Sequence, residues 1–270
     1  MRTALKYAAA VAISLLSLIP FYVLLFLSLN APSFNFFEES LFMPDFYFHN
    51  YAEAWVSSHI GRAIGNSLII TVGSVALNVL LASSAGYAIA RFRNRLHRAI
   101  FTVFLLSMMI PAIIITVPLY TLMRSIGGIN TLWAMILLMA STVMPFSVFL
   151  YTSFIRAIPK EIEESAIIDG CTHFTAFFRV TFFFLAPVTS AVVILTGLQI
   201  WNNYGQAIFF LQSQSVQTIP LAISMFFQQY GAKWNLMGAA AVIGVLPPIV
   251  AFLAFQRYFI KGIMAGALKG

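Results

Sequence analysis

The chain has 270 residues, 61% of them hydrophobic and only 9% charged, whereas a soluble domain carries about 25% charged residues; a water-soluble fold is excluded in favour of an integral membrane protein. The net charge of +7 comes from cations spread over several short segments without interleaved stacking aromatics, which excludes nucleic-acid binding as its purpose. A single cysteine, Cys171, has no partner for a disulfide and none of the spacing of a metal site.

Uncharged runs follow one another at 7–29, 63–90, 99–123, 125–155, 180–201 and 234–256. At about 1.5 Å of rise per helical residue, each can cross a hydrocarbon core of about 30 Å. The pattern predicts an all-α integral membrane protein with six transmembrane helices and no soluble domain beside them. Arg2 and Lys6 precede the first run as they would in a signal peptide. That run is longer than the roughly 7–15 residues of a signal core, and no A-x-A site closes it before Asn30, so an uncleaved anchor is expected.

Alternating spans place Arg2, Lys6, Arg91, Arg93, Arg95, Arg98, Arg156, Lys160, Arg179, Arg257, Lys261 and Lys269 on one side and only Arg62, Arg124 and Lys233 on the other. Basic residues are retained on the cytoplasmic side, so both termini are expected there. The two long external stretches are then 30–61, which carries Glu38, Glu39, Asp45 and Glu53 among many aromatics, and 202–233, which is polar and rich in glutamine. Either could dock an external partner. Either could equally be a wet loop whose aromatics settle at the membrane interface.

All eight acids and the four histidines, His49, His59, His97 and His173, fall between the runs. Intramembrane ionisable groups mark proton relays and ion pathways, so proton-coupled transport and intramembrane hydrolysis are disfavoured. Sodium coupling is less firmly excluded, because unwound carbonyls can hold that ion. The chain also lacks a G-x-x-x-x-G-K-[ST] phosphate loop, so any ATP must be used by a separate subunit. Pro111, Pro118 and Pro145 interrupt the third and fourth runs, where broken helices line a solute path or simply pack as kinks.

Half of the carboxylates are gathered in one segment between the fourth and fifth runs, KEIEESAIIDG at 160–170. Pro159 suits a first helical position, Glu161 and Glu163 lie where the helix dipole favours negative charge, and Gly170 can adopt the left-handed conformation that ends a helix. A short helix of about two and a half turns is predicted. Ser165 and Ala166 are small enough for close approach by another protein, and Glu164 and Asp169 are left for polar contacts. Phe174, Phe177 and Phe178 follow at helical spacing and lead back into the membrane. The residues alone fit a solvated hairpin and a docking element equally well.

Glu163-Glu164-Ser165-Ala166-x-x-Asp169-Gly170, followed by Phe177, Val180 and Pro187, resembles the EAA loop of permease subunits of bacterial ABC importers. Ser165 and Cys171 stand where that pattern has alanines, and Phe183 where it commonly has proline. Gly86-Tyr87-Ala88 with Arg91-Phe92-Arg93, Met109-Ile110-Pro111 with Pro118-Leu119-Tyr120, Pro145-Phe146, Trp201-Asn202 and the ending from Gln256 to Gly270 are similar to the maltose-type carbohydrate branch, in particular its shorter, second permease. The resemblance runs from about Asn66 to the last residue.

The resemblance implies a type I ABC importer permease fold. Residues 1–62 would form an N-terminal anchor span and external loop. Residues 63–270 would form the permease domain of five spans, with the EAA coupling loop at about 156–182 and a cytoplasmic C-terminal tail. Glu163, Glu164, Ser165, Ala166, Asp169 and Gly170 would dock into a cleft of an ATPase subunit, and Lys269 and Gly270 would reach between two ATPases. The implied partners are a second permease, two ATPase subunits that bind ATP and magnesium, and an external solute-binding protein. The chain itself would be no enzyme and hold no metal or cofactor.

The implied cargo is a sugar or oligosaccharide, with glycerol-phosphate esters also carried within the branch. The implied location is the cytoplasmic membrane of a bacterium or archaeon. At the external end of the fifth run, Trp201, Asn202, Asn203 and Tyr204 combine aromatic faces with amide groups suited to a sugar ring. The same residue types also serve as interface anchors and helix caps. A secondary transporter or facilitator working without an ATPase is the rival reading, and it leaves the charged loop unexplained.

Overall fold

The computed structural model describes residues 2–33, 43–92, 94–228 and 233–267. These residues are helical, in the order α1 Arg2–Leu29, α2 His49–Ser57, α3 Ile60–Arg91, α4 Arg95–Ser107, α5 Ala112–Ser125, α6 Leu132–Ala157, α7 Glu161–Ile168, α8 His173–Ala176, α9 Phe182–Phe184, α10 Ala186–Trp201, α11 Ala207–Phe210, α12 Ile219–Gln228 and α13 Trp234–Ala267. A π-helical turn, Phe177–Thr181, joins α8 to α9. They divide into two compact units, Met1–Ile64 with Thr218–Pro247, and Gly65–Gln217 with Pro248–Gly270.

Among the described residues, four stretches are long and apolar enough to cross a membrane alone: Lys6–Leu29, Ile60–Arg91, Leu132–Ala157 and Trp234–Ala254. Two further bent pairs of helices bring the number up to six when each pair is taken as one span. The run at 99–123 is not one straight helix, as its hydropathy suggested: Arg95–Ser107 and Ala112–Ser125 meet at 105°. Pro111 stands at this break in an extended conformation, because its ring fixes φ and denies the backbone a donor. The run at 180–201 bends likewise, with His173–Phe184 and Ala186–Trp201 at 76°. Pro187 begins the second limb, where a missing N–H costs nothing. Pro145, by contrast, lies within an unbroken α6.

The fourth run starts later than position 125, because Asn130 turns the chain with φ of 58° before α6 begins. Its N–H donates to the Phe210 carbonyl at 2.8 Å, and its Oδ1 accepts from Ser213 N–H at 2.8 Å. Asn66 secures the same loop by donating to the Ser215 and Gln217 carbonyls at 3.1 and 2.9 Å. These bonds satisfy carbonyls that leave the helical ladder.

In the first unit, the buried amide of Asn50 forms a hub. Its Nδ2 donates to the carbonyls of Ser28 and Asn30 at 3.0 and 2.7 Å, and its Oδ1 accepts from Asn235 Nδ2 at 2.7 Å. The end of α1, the start of α2 and the start of α13 are thereby fixed together. Buried from water as Asn50 and Asn30 are, such groups need one another as partners.

In the second unit, α3 and α6 touch at Gly86, where an added Cβ would lie 2.7 Å from Tyr151 Cβ and 3.1 Å from the Thr152 nitrogen. Only glycine permits so close a backbone approach, which is a common basis of helix packing in lipid. Asn78 Nδ2 donates to Ser147 Oγ at 2.7 Å, and the Tyr151 hydroxyl donates to Thr189 Oγ1 at 3.0 Å, so α10 joins the same core. Tyr87, Val148, Tyr151, Ile155, Phe177 and Leu185 are among the buried residues that extend this core to the charged loop.

Candidate functional site

The charged loop leaves α6 through Ile158, which is extended as a residue before proline must be. Pro159 lies outside α7, which begins at Glu161 with Lys160 in the capping position, so the proline sets the approach to the helix and not its first turn. Glu161, Glu163 and Glu164 occupy that first turn, where the dipole favours them. The other end is a Schellman closure: Cys171 N–H bonds the Ala166 carbonyl and Gly170 N–H the Ile167 carbonyl, each at 3.0 Å. Gly170 has φ of 92°, the left-handed conformation this closure requires. Thr172 then starts α8, its Oγ1 accepting from Thr175 N–H at 3.3 Å.

Glu163 turns inward and is 5% exposed. Its Oε1 accepts from Arg91 Nε at 2.8 Å and lies 2.7 Å from Arg91 Nη2, while Thr181 Oγ1 donates to the same oxygen at 3.1 Å. Arg91 Nη2 also donates to the Ile158 carbonyl at 3.2 Å. The last residue of α3, the turn before α7, α7 itself and the π-helical turn thus converge on one ion pair. Phe177 lies against Tyr87 with ring centroids 4.8 Å apart, closing the apolar side of the joint. Removing one partner of such a buried pair costs about 3–5 kcal/mol, because the other charge is left uncompensated.

The six residues singled out in the loop therefore divide by direction. Glu163 and Ala166 are buried, and Glu164, Ser165, Asp169 and Gly170 are exposed. Ile168 and Phe174 are also exposed, at 84% and 73%. The outward face is consequently acidic and apolar at once, a composition suited to a protein partner and poorly suited to water alone. Ser165 Oγ donates to its own helix at the Ile162 carbonyl, leaving a small surface there.

In the sequence Arg91 figures only as one of the topology-setting cations and as part of a family pattern. Its closing of a long uncharged run, on the same side as a carboxylate-rich segment, was the available sign of a pair. Ile168 gave no sign of exposure, being apolar in an apolar chain.

At the other end of α10, Trp201 is buried, and Asn203 Oδ1 accepts from the N–H groups of Gln206 and Ala207 at 3.2 and 3.3 Å, capping α11. Asn202 is exposed and Tyr204 half-buried. The structure brings the four together at one turn but commits two of them to holding it. Lys269 and Gly270 lie outside the described residues.

A family model described as "Binding-protein-dependent transport system inner membrane component" matches residues 78–264. The chain is 41% identical over 253 residues to the melibiose/raffinose/stachyose import permease protein MelC of Bacillus subtilis (strain 168), covering 93% of this chain and 91% of that one. It is 34% identical over 206 residues to the arabinooligosaccharides transport system permease protein AraQ of Halalkalibacterium halodurans, covering 76% and 73%. Among solved structures, a chain of a bacterial ABC transporter involved in the import of the acidic polysaccharide alginate superposes with a TM-score of 0.78 at 18% identity, over 95% of this chain and 97% of that one.

Proposed function

The chain belongs to the family of binding-protein-dependent transport system inner membrane components, and on that footing we propose that it forms, with a second permease, the pathway for a sugar or oligosaccharide delivered by an external solute-binding protein. It is a multi-pass permease subunit of an ABC importer and not an enzyme. The carbohydrate cargo is supported by what MelC and AraQ are named for. ATP and magnesium are bound by two partner ATPase subunits, consistent with the want of a phosphate loop in the sequence. Both termini face the cytoplasm of a bacterial or archaeal cell, supported by the asymmetry of the basic residues.

One observation carries the coupling assignment: α7 is held from within by Glu163 on Arg91 and closed by Gly170, while Glu164, Asp169 and Ile168 are presented outward. In this reading Glu164, Ser165, Asp169 and Gly170 meet the ATPase, and Glu163 and Ala166 secure the helix to the membrane part. Movement of α7 reaches α3 through Arg91 and α6 through the contact at Gly86. Lys269 and Gly270 extend toward the ATPases, by family resemblance. Outside, Asn202 and Tyr204 offer sugar contacts on a turn that Trp201 and Asn203 hold in place.

Co-expression with the second permease and the ATPase, followed by reconstitution into liposomes, tests this. ATP-driven sugar uptake that requires the binding protein is expected. Uptake by this chain alone, without ATP, would overturn the assignment.

A further inference from the structure

Near the end of α3 lies a cavity of about 280 Å³ whose lining includes Phe92, Asn94, His97, Arg98, Phe101 and Arg156. No carboxylate is among its lining residues. Among the described residues, the ion pairs are Arg91–Glu163 and Lys233–Glu53, and neither involves Arg98 or Arg156. Two guanidinium groups therefore line one small space without a counter-ion. The Arg156 guanidinium carbon is 5.2 Å from the centre of the Phe101 ring, which holds it beside the cavity by a cation–π contact. Asn94 also lines the pocket, and its Oδ1 accepts from His97 N–H at 2.8 Å and lies 2.6 Å from His97 Nδ1.

The apolar surroundings name the kind of anion. Phe101 and Leu105 on α4, with Met108 capping its end, recur at i, i+4 and i+7, and so share the face that carries the cavity. On α6, Phe149 lies two turns before Arg156 on a common face. Leu105, Met108 and Phe149 are all exposed, and all lie on the side of the cavity away from the helix ends at Arg95 and Ala157. A basic pocket thus adjoins helix faces whose exposed apolar residues lead from the helix ends toward the depth of the membrane. A free phosphate would use only the first of these features.

We propose that this cavity seats the phosphodiester head group of an anionic phospholipid of the cytoplasmic leaflet, with Arg98 and Arg156 on the phosphate and an acyl chain along Leu105, Met108 and Phe149. Basic pockets between membrane helices on that side are suited to such head groups. The leaflet follows from the orientation proposed above. Neither the cargo nor the coupling to ATP enters, so failure here leaves the transport reading untouched.

The test uses the whole purified transporter in detergent, stripped of lipid, with native mass spectrometry to count lipids retained on this subunit. Phosphatidylglycerol should bind at about thirtyfold lower concentration than phosphatidylcholine of the same chains, the scale expected for two cations at a membrane surface. The double variant Arg98→Ala with Arg156→Ala should lose that preference, and Arg98→Lys with Arg156→Lys should keep most of it. Equal binding of the two lipids by the unaltered transporter overturns the proposal, and this comparison decides even if the alanine variant does not assemble. Unchanged preference in an assembled alanine variant overturns it too. Displacement of phosphatidylglycerol by equimolar inorganic phosphate would make the cavity a free-anion site and reject the lipid.

Discussion

Arg91 at the end of α3 and Glu163 in the first turn of α7 meet at 2.7 Å, with side chains only 8% and 7% exposed. A pair so enclosed links a membrane-spanning helix to the short helix outside it more rigidly than a surface ion pair could, since surface pairs contribute at most about 1 kcal/mol and are screened by salt. Replacing Arg91 by alanine leaves Glu163 buried without its partner. The Arg91→Ala variant should lose about 3–5 kcal/mol of stability, read as a lowered midpoint of thermal unfolding of the purified transporter. The double variant Arg91→Met with Glu163→Leu should recover most of that loss, and a double variant no more stable than Arg91→Ala alone would show that the pair is not the joint.

Gly170 has φ of 92°, a conformation that a β-branched residue adopts only under strain of about 1–3 kcal/mol. Gly170→Val should therefore displace the closure of α7 and abolish sugar uptake while the chain still inserts. Uptake assays beside quantification of the membrane-inserted subunit check this, and normal uptake would remove Gly170 from the coupling site.

Glu164 and Asp169 are exposed and in no ion pair among the described residues. Reversing either to lysine should leave the fold intact, because no internal contact is lost. The loss should appear in assembly: Glu164→Lys and Asp169→Lys should co-purify with several-fold less ATPase, whereas Glu163→Gln should first lower stability. Full recovery of the ATPase with both lysine variants would place the docking surface elsewhere.

Asn50 joins three polypeptide segments of the first unit through bonds of 3.0, 2.7 and 2.7 Å. Asn50→Ala leaves buried carbonyls and the Asn235 amide without partners, at about 1–3 kcal/mol for each group so left. Adding Asn235→Ala should cost less in that background than in the unaltered chain, because the two residues share a bond. Thermal unfolding of the four proteins gives the comparison, and strict additivity would contradict the hub.

Much of this molecule was legible in its sequence, for identifiable reasons. Apolar runs marked the spans because a bilayer imposes length and polarity together. The left-handed end of α7 was legible in Gly170, because few residues other than glycine take that conformation. Hydropathy, however, reports length and not direction: the 105° break before Ala112 was signalled only by Pro111, and Pro145 carried the same signal without breaking α6. The Arg91–Glu163 pair joins residues 72 positions apart, and no local pattern connects them. Glu163 and Glu164 are adjacent acids in one sequence motif, yet the turn of the helix buries one and exposes the other. Trp201 and Asn203 are likewise indistinguishable from sugar ligands by residue type, and only their burial and capping bonds reveal what they hold.

The most direct measurement of the coupling assignment is the ATPase rate of the reconstituted transporter, with and without sugar-loaded binding protein. The unaltered complex should hydrolyse ATP several-fold faster when the loaded binding protein is present. A complex carrying Gly170→Val should show no such rise even where its ATPase subunits remain bound. An equal rise in both complexes, or sugar transport by this chain in liposomes without any ATPase, would contradict the assignment of α7 as the point where energy enters.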